Sequence, residues 1–93
     1  MNGSILSMKP IFYVYTKPGC HLCEILIEKL METLRDKADI KFIDIESSPE
    51  LFNEYREIIP LVKYRDKELF RYHYDHNVIK KIMMTFPSPS ILT

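Results

Sequence analysis

Cys20-His21-Leu22-Cys23 is the segment of this 93-residue chain whose residue types and spacing can do chemistry. Two thiols three positions apart can exchange with a disulfide, closing into a ring of their own, or can hold a soft metal ion. The spacing alone is a weak signal, and the neighbouring sequence strengthens it. Ile11-Phe12-Tyr13-Val14-Tyr15 reads as a strand, Lys17-Pro18-Gly19 breaks it, and a 3.6-residue apolar period begins at Cys20. Cys20 therefore falls at a helix start, where unpaired amides and the macrodipole favour a thiolate. Cys23 lies almost one turn further in, on the apolar face, and is expected to stay shielded and protonated. That asymmetry predicts a cycle in which Cys20 attacks a substrate disulfide and Cys23 then resolves the mixed disulfide, closing Cys20–Cys23. The alternative is two unreactive cysteines, one in a loop and one in a core.

The elements that must position these thiols follow from periodicity and capping. Cys23, Leu26, Ile27, Leu30, Met31 and Leu34 form the apolar stripe of a helix running to about Asp36. Ile40 to Ile45 predicts a second strand. Ser47-Ser48-Pro49-Glu50 is a helix-start signature, a hydroxyl cap followed by proline and an acid, opening a short helix to about Arg56 with Leu51, Phe52 and Tyr55 inward. Leu61–Tyr64 and Leu69–Tyr72 read as an antiparallel pair turned at Asp66-Lys67, without the glycine a two-residue hairpin favours. Asp75 or Asn77 caps a last helix with Val78, Ile79, Ile82, Met83 and Phe86 as its stripe. The order β-α-β-α-β-β-α predicts an α/β fold: a four-stranded mixed sheet with helices on both faces, the first two strands parallel through a right-handed crossover.

Composition narrows the function classes. Thirteen basic and thirteen acidic side chains leave no formal net charge, against the basic excess that nucleic acid or an anionic membrane requires. No apolar run approaches the roughly 20 residues of a membrane span. Two cysteines are too few for a secreted disulfide framework, and Met1–Met8 lacks the basic start and apolar run of a secretory signal. The expectation is one cytoplasmic, monomeric domain over residues 9–86, after a disordered lead-in (1–8) and before a flexible tail (87–93) in which Pro87 and Pro89 forbid a helix.

Pro60 follows Ile59 at the start of the third strand, where proline gives up no ladder bond. A cis Ile59–Pro60 bond is possible there, and it would turn the Ile59 backbone towards the cysteines as an edge for a peptide. His21 between the thiols is either an exposed residue with little effect or, when protonated, a group that stabilises a thiolate and, with Leu22, tunes the potential. Lys17 is either solvated or an attractor of anionic partners. His73 and His76 could join the two cysteines around zinc, since two thiolates and two imidazoles suit a tetrahedral site. The six tyrosines read as strand or helix residues, and Met83-Met84 as core.

The run Tyr15-Thr16-Lys17-Pro18-Gly19-Cys20-His21-Leu22-Cys23-Glu24, with Ile59-Pro60 downstream, resembles the glutaredoxin-like branch of the thioredoxin superfamily, over roughly Lys9 to Phe86. The resemblance implies a thioredoxin-like fold and a thiol–disulfide oxidoreductase serving electron transport and cell redox homeostasis. It implies Cys20 as nucleophile, Cys23 as resolving thiol, Pro60 as the cis-proline, and Lys17 near a carboxylate of glutathione. Glutaredoxins carry a Gly-Gly pair after the fourth strand; here Tyr72-His73-Tyr74-Asp75-His76 stand in that region, and the only glycines are Gly3 and Gly19. The expected cofactor is therefore none beyond the redox-active disulfide, with glutathione as a possible co-substrate. Expected partners are a disulfide-bearing protein or small molecule and a reductant, either glutathione or a thioredoxin-type reductase. Two competing readings use the same residues: a copper or zinc binding module, and an inactive thioredoxin-fold adaptor. Small copper chaperones run β-α-β-β-α-β and place methionine where Pro18 stands here, which disfavours the first.

Overall fold

The computed structural model describes residues 9–86; the lead-in and tail expected at 1–8 and 87–93 lie outside them. Among the described residues, four strands and three α-helices follow in the order β1 (Ile11–Thr16), α1 (His21–Leu34), β2 (Asp39–Asp44), α2 (Pro49–Tyr55), β3 (Leu61–Tyr64), β4 (Lys67–Arg71) and α3 (His76–Thr85). They form one mixed sheet in the order β2-β1-β3-β4. β2 lies parallel to β1, and β3 lies antiparallel to both β1 and β4. The predicted α/β architecture is the observed one.

Burial assigns the two faces. Phe12 and Val14 of β1 and Val62 of β3 are fully buried with Leu26, Leu30 and Leu34 of α1 and Ile79 of α3. Tyr15 and Leu61, paired in register, belong to a second cluster with Ile45, Tyr55 and Ile59, over which α2 lies. Leu69 is an extra residue in β4, because the pairing steps from Val62–Phe70 to Lys63–Glu68. That bulge lets two consecutive residues, Leu69 and Phe70, pack against the same core, which strict alternation forbids.

Several boundaries differ from the expectation for local reasons. α1 stops at Leu34 rather than Asp36, because Arg35 takes φ 50° while its amide still reaches the Met31 carbonyl. β2 ends at Asp44, whose carboxylate accepts from the Glu46 amide at 2.8 Å and starts a 3-10 turn that buries Ile45. The hairpin turns at Arg65-Asp66, one residue earlier than expected, and Arg65 carries the φ of 59° for which glycine is usual. β4 likewise starts and ends earlier than Leu69–Tyr72. Met31, placed in the buried stripe by its spacing, is 52% exposed. It sits at the rim of the sheet beside Phe42 of the edge strand β2, and the two line one surface groove. The capping of α2 is as expected, with Ser48 Oγ accepting from the Leu51 amide at 3.1 Å and Pro49 in the first turn. Asp75 rather than Asn77 caps α3.

Candidate functional site

Lys17-Pro18-Gly19 links β1 to α1 through a tight turn. The Cys20 amide donates to the Lys17 carbonyl at 3.3 Å, with Pro18 and Gly19 at the centre and Gly19 at φ 78°. Proline followed by a residue of positive φ is the signature of a type II turn. Its consequence is that Cys20 arrives with extended backbone (φ −88°, ψ 104°) as the N-cap of α1, where serine or aspartate more commonly stands. The Cys23 amide donates to Cys20 Sγ at 3.2 Å, and the Glu24 amide donates to the Cys20 carbonyl at 3.1 Å. One sulfur thus takes a first-turn amide proton that the helix itself leaves unpaired.

Cys20 and Cys23 form a disulfide, with their Cα atoms 5.2 Å apart. Cys23 is 1% exposed and faces Ile45, Tyr55, Ile59 and Leu61, whereas Cys20 at the rim of that cluster stays partly open to solvent. Ile59 belongs to the same cluster, and its peptide bond to Pro60 is cis. Ile59 main-chain N–H and C=O groups have no hydrogen-bond partner among the described residues, although the residue is only 8% exposed. The structure therefore brings Cys20, Cys23, Ile59 and Pro60 into one place. Leu22, by contrast, turns outward and is 43% exposed. His21 also faces solvent, with Nδ1 3.9 Å from the Glu24 carboxylate. Lys17 contributes its carbonyl to the turn, as above.

His73 and His76 do not join the cysteines. His76 Nδ1 lies 3.0 Å from the Tyr74 hydroxyl, which itself donates to Thr33 Oγ1 of α1 at 2.8 Å. No group of three histidine, cysteine or acidic side chains among the described residues converges as a metal site.

Two features beside the cysteines escaped the sequence reading. Lys63 Nζ donates to the Tyr55 hydroxyl at 3.2 Å and lies 5.2 Å from the centre of the Tyr15 ring, while the two rings are 4.4 Å apart. The hydrogen bond to Tyr55 raises the Lys63 ammonium above its ordinary value, and burial raises the Tyr15 phenol. Tyr72 is the second. Its φ is 73°, and the His73 amide closes back on the Arg71 carbonyl at 2.8 Å, so Tyr72 stands at the centre of a γ-turn. Its amide donates to the Pro60 carbonyl at 2.7 Å and its hydroxyl to the Glu57 carbonyl at 2.9 Å. The only signal in the sequence was a bulky residue in a region where the resembled family has glycines.

A helix-starting disulfide at the end of a central strand, beside a cis-proline, defines a thioredoxin-fold protein with a cysteine pair suited to a redox role. Within that class, the chain belongs to the glutaredoxin-like domain (DUF836) family, whose sequence model matches residues 12–84. The solution NMR structure of protein Ne2328 from Nitrosomonas europaea is similar, at 29% identity and a TM-score of 0.69, over 81% of this chain and 92% of that one. Thioredoxin 1 from the thermophilic eubacterium Thermosipho africanus shares the fold at 17% identity and a TM-score of 0.54, over 80% of this chain and 94% of that one. No curated protein matches the chain.

Proposed function

We propose that the protein is a thiol–disulfide oxidoreductase running a dithiol cycle. The observation that carries this reading is the unlike environment of two bonded sulfurs. Cys20 is a half-buried residue whose Sγ accepts an amide hydrogen bond, whereas Cys23 is buried among apolar side chains. In the reduced protein the same amide favours a thiolate at Cys20, and apolar burial keeps Cys23 a thiol. The Cys20 thiolate attacks one sulfur of a substrate disulfide, forming a mixed disulfide and expelling the other sulfur as a thiolate. Cys23 gives up its proton and attacks Cys20 Sγ, releasing the second substrate thiolate and restoring the Cys20–Cys23 bond. Two electrons pass to the substrate, two protons complete its thiols, and a dithiol or glutathione-class reductant reopens the ring.

Ile59, with the buried Pro60 behind it, forms the wall against which substrate lies, and the unpaired main chain of Ile59 is a docking edge for a peptide. Lys17 attracts an anionic group on the substrate or on glutathione, and exposed His21 with Leu22 adjusts the potential. We read the protein as a cytoplasmic monomer that acts without metal, nucleic acid or membrane.

Purified metal-free protein, assayed with glutathione and its reductase and then with thioredoxin reductase, tests this. Turnover of a small disulfide is expected with one of the two systems. Cys20→Ser is expected to abolish it, and Cys23→Ser to accumulate a mixed disulfide detectable by mass. Stoichiometric copper or zinc binding without turnover would instead favour the carrier.

A further inference from the structure

A non-glycine residue at the centre of a γ-turn with positive φ is rare and strained, and such a backbone persists only where surrounding contacts hold it. At Tyr72 the contacts that hold it all lead to one place. Its amide takes the Pro60 carbonyl at 2.7 Å and its hydroxyl takes the Glu57 carbonyl at 2.9 Å, across fifteen residues of sequence. Tyr72 therefore grips both ends of the segment Glu57–Pro60, which carries Ile59 against the cysteines. On the β4 side of that segment, the Tyr72 amide and the carbonyls it reaches are already engaged. The Ile59 amide and carbonyl, like the Glu57 amide and the Ile58 carbonyl, have no hydrogen-bond partner among the described residues, and of these residues Ile59 is the one in the cysteine cluster's buried core.

We propose that Tyr72 is a positioning residue that fixes this edge for an extended polypeptide, so that the substrate class is a disulfide carried by a protein chain. The inference rests on the oxidoreductase reading above. An extended segment beside the attacked sulfur pairs its own amide and carbonyl with those of Ile59, as a strand does with a sheet edge. A small disulfide with no peptide backbone has nothing to pair, and reacts at Cys20 without using the edge. Loosening Tyr72 should therefore discriminate between the two kinds of substrate.

The test uses pre-reduced protein freed of excess reductant, so that one substrate disulfide becomes two thiols as one Cys20–Cys23 ring closes. Insulin serves as the polypeptide disulfide and bis(2-hydroxyethyl) disulfide as the small one, each followed by single-turnover kinetics across concentration. Tyr72→Phe removes only the hydroxyl contact, and its half-saturating insulin concentration is expected to rise about 3–10-fold, the worth of one hydrogen bond. Its rate with the small disulfide should stay within twofold of wild type. Tyr72→Gly, which also removes the ring, should shift insulin further in the same direction. Circular dichroism of both variants checks that the fold is retained.

Equal changes with both substrates, or none with either, overturn the assignment of Tyr72 while leaving the oxidoreductase reading intact. A wild-type protein inert towards both disulfides overturns that reading, and this one with it.

Discussion

The Cys23 amide donates to the sulfur of Cys20 at 3.2 Å, so the second residue of the pair supplies a backbone hydrogen-bond donor to the sulfur of the first. The side chain of Cys23 meanwhile packs on Ile45, Tyr55, Ile59 and Leu61. One residue thus supplies a donor to its neighbour and keeps its own thiol out of water.

This arrangement predicts unequal alkylation. In the reduced protein at pH 7, iodoacetamide should modify Cys20 at least about tenfold faster than Cys23, as read by peptide mass. The pH profile of the Cys20 reaction should have its midpoint below the ordinary thiol value of about 8.5. A midpoint at or above that value would remove the basis of the proposed mechanism.

Gly19 is constrained by its backbone and by nothing else. Its φ is 78°, and a Cβ built there meets no atom within 4 Å. Gly19→Ala should therefore cost about 1–2 kcal/mol from the left-handed backbone alone. That corresponds to a fall in Tm of roughly 4–8 °C per kcal/mol for a domain of this size. Gly19→Asn should lose less, because asparagine tolerates this region better. Equal losses for the two would indicate a steric cause instead.

The Lys63–Tyr55 contact predicts a loss of stability in alkali. The Tyr55 hydroxyl raises the Lys63 ammonium above its ordinary 10.5, so the folded state holds that proton more tightly than the unfolded chain does. The contribution is complete below the unfolded value and disappears as pH rises through the folded one. Burial raises the Tyr15 phenol from 10.0 and acts with the same sign. Thermal melts should therefore fall as pH rises from about 9 to 11. Tyr55→Phe should melt lower below pH 9, by about 0.5–1.5 kcal/mol for the lost hydrogen bond, and should respond less steeply to alkali.

Leu30 is fully buried between α1 and the sheet, in the cluster that contains Phe12, Val14, Val62 and Ile79. Leu30→Ala should cost about 2–5 kcal/mol, a large part of the roughly 5–15 kcal/mol of a typical domain. Met31→Ala, one residue along and 52% exposed, should cost under about 1 kcal/mol. Urea midpoints of the two variants give the comparison.

Much of the fold was legible because its signals are local. A 3.6-residue period marks α1, Ser48-Pro49 marks the start of α2, and an unbroken apolar run marks β1. Each depends on residues within four positions of one another. The cysteine site belongs to the same category, since Pro18-Gly19 sets the turn and Cys20 caps the helix that follows. Its chemistry is a property of one strand-to-helix junction.

Contacts between distant segments had no such signal. Met31 kept the spacing of a buried residue, but α1 overhangs the sheet edge at that point, and spacing cannot report where a sheet ends. Leu69 and Phe70 share one core because of a bulge that only the pairing of β3 with β4 reveals. The grip of Tyr72 on Glu57 and Pro60, and the stack of Tyr15 on Tyr55 beneath Lys63, join residues that are eight or more positions apart. The amino-acid order determined which segments become helix or strand and where the helix-capping sulfur of Cys20 stands, because capping and periodicity act over a single turn. Strand order and register decided what surrounds that sulfur, because they bring together side chains that have no influence on one another along the chain.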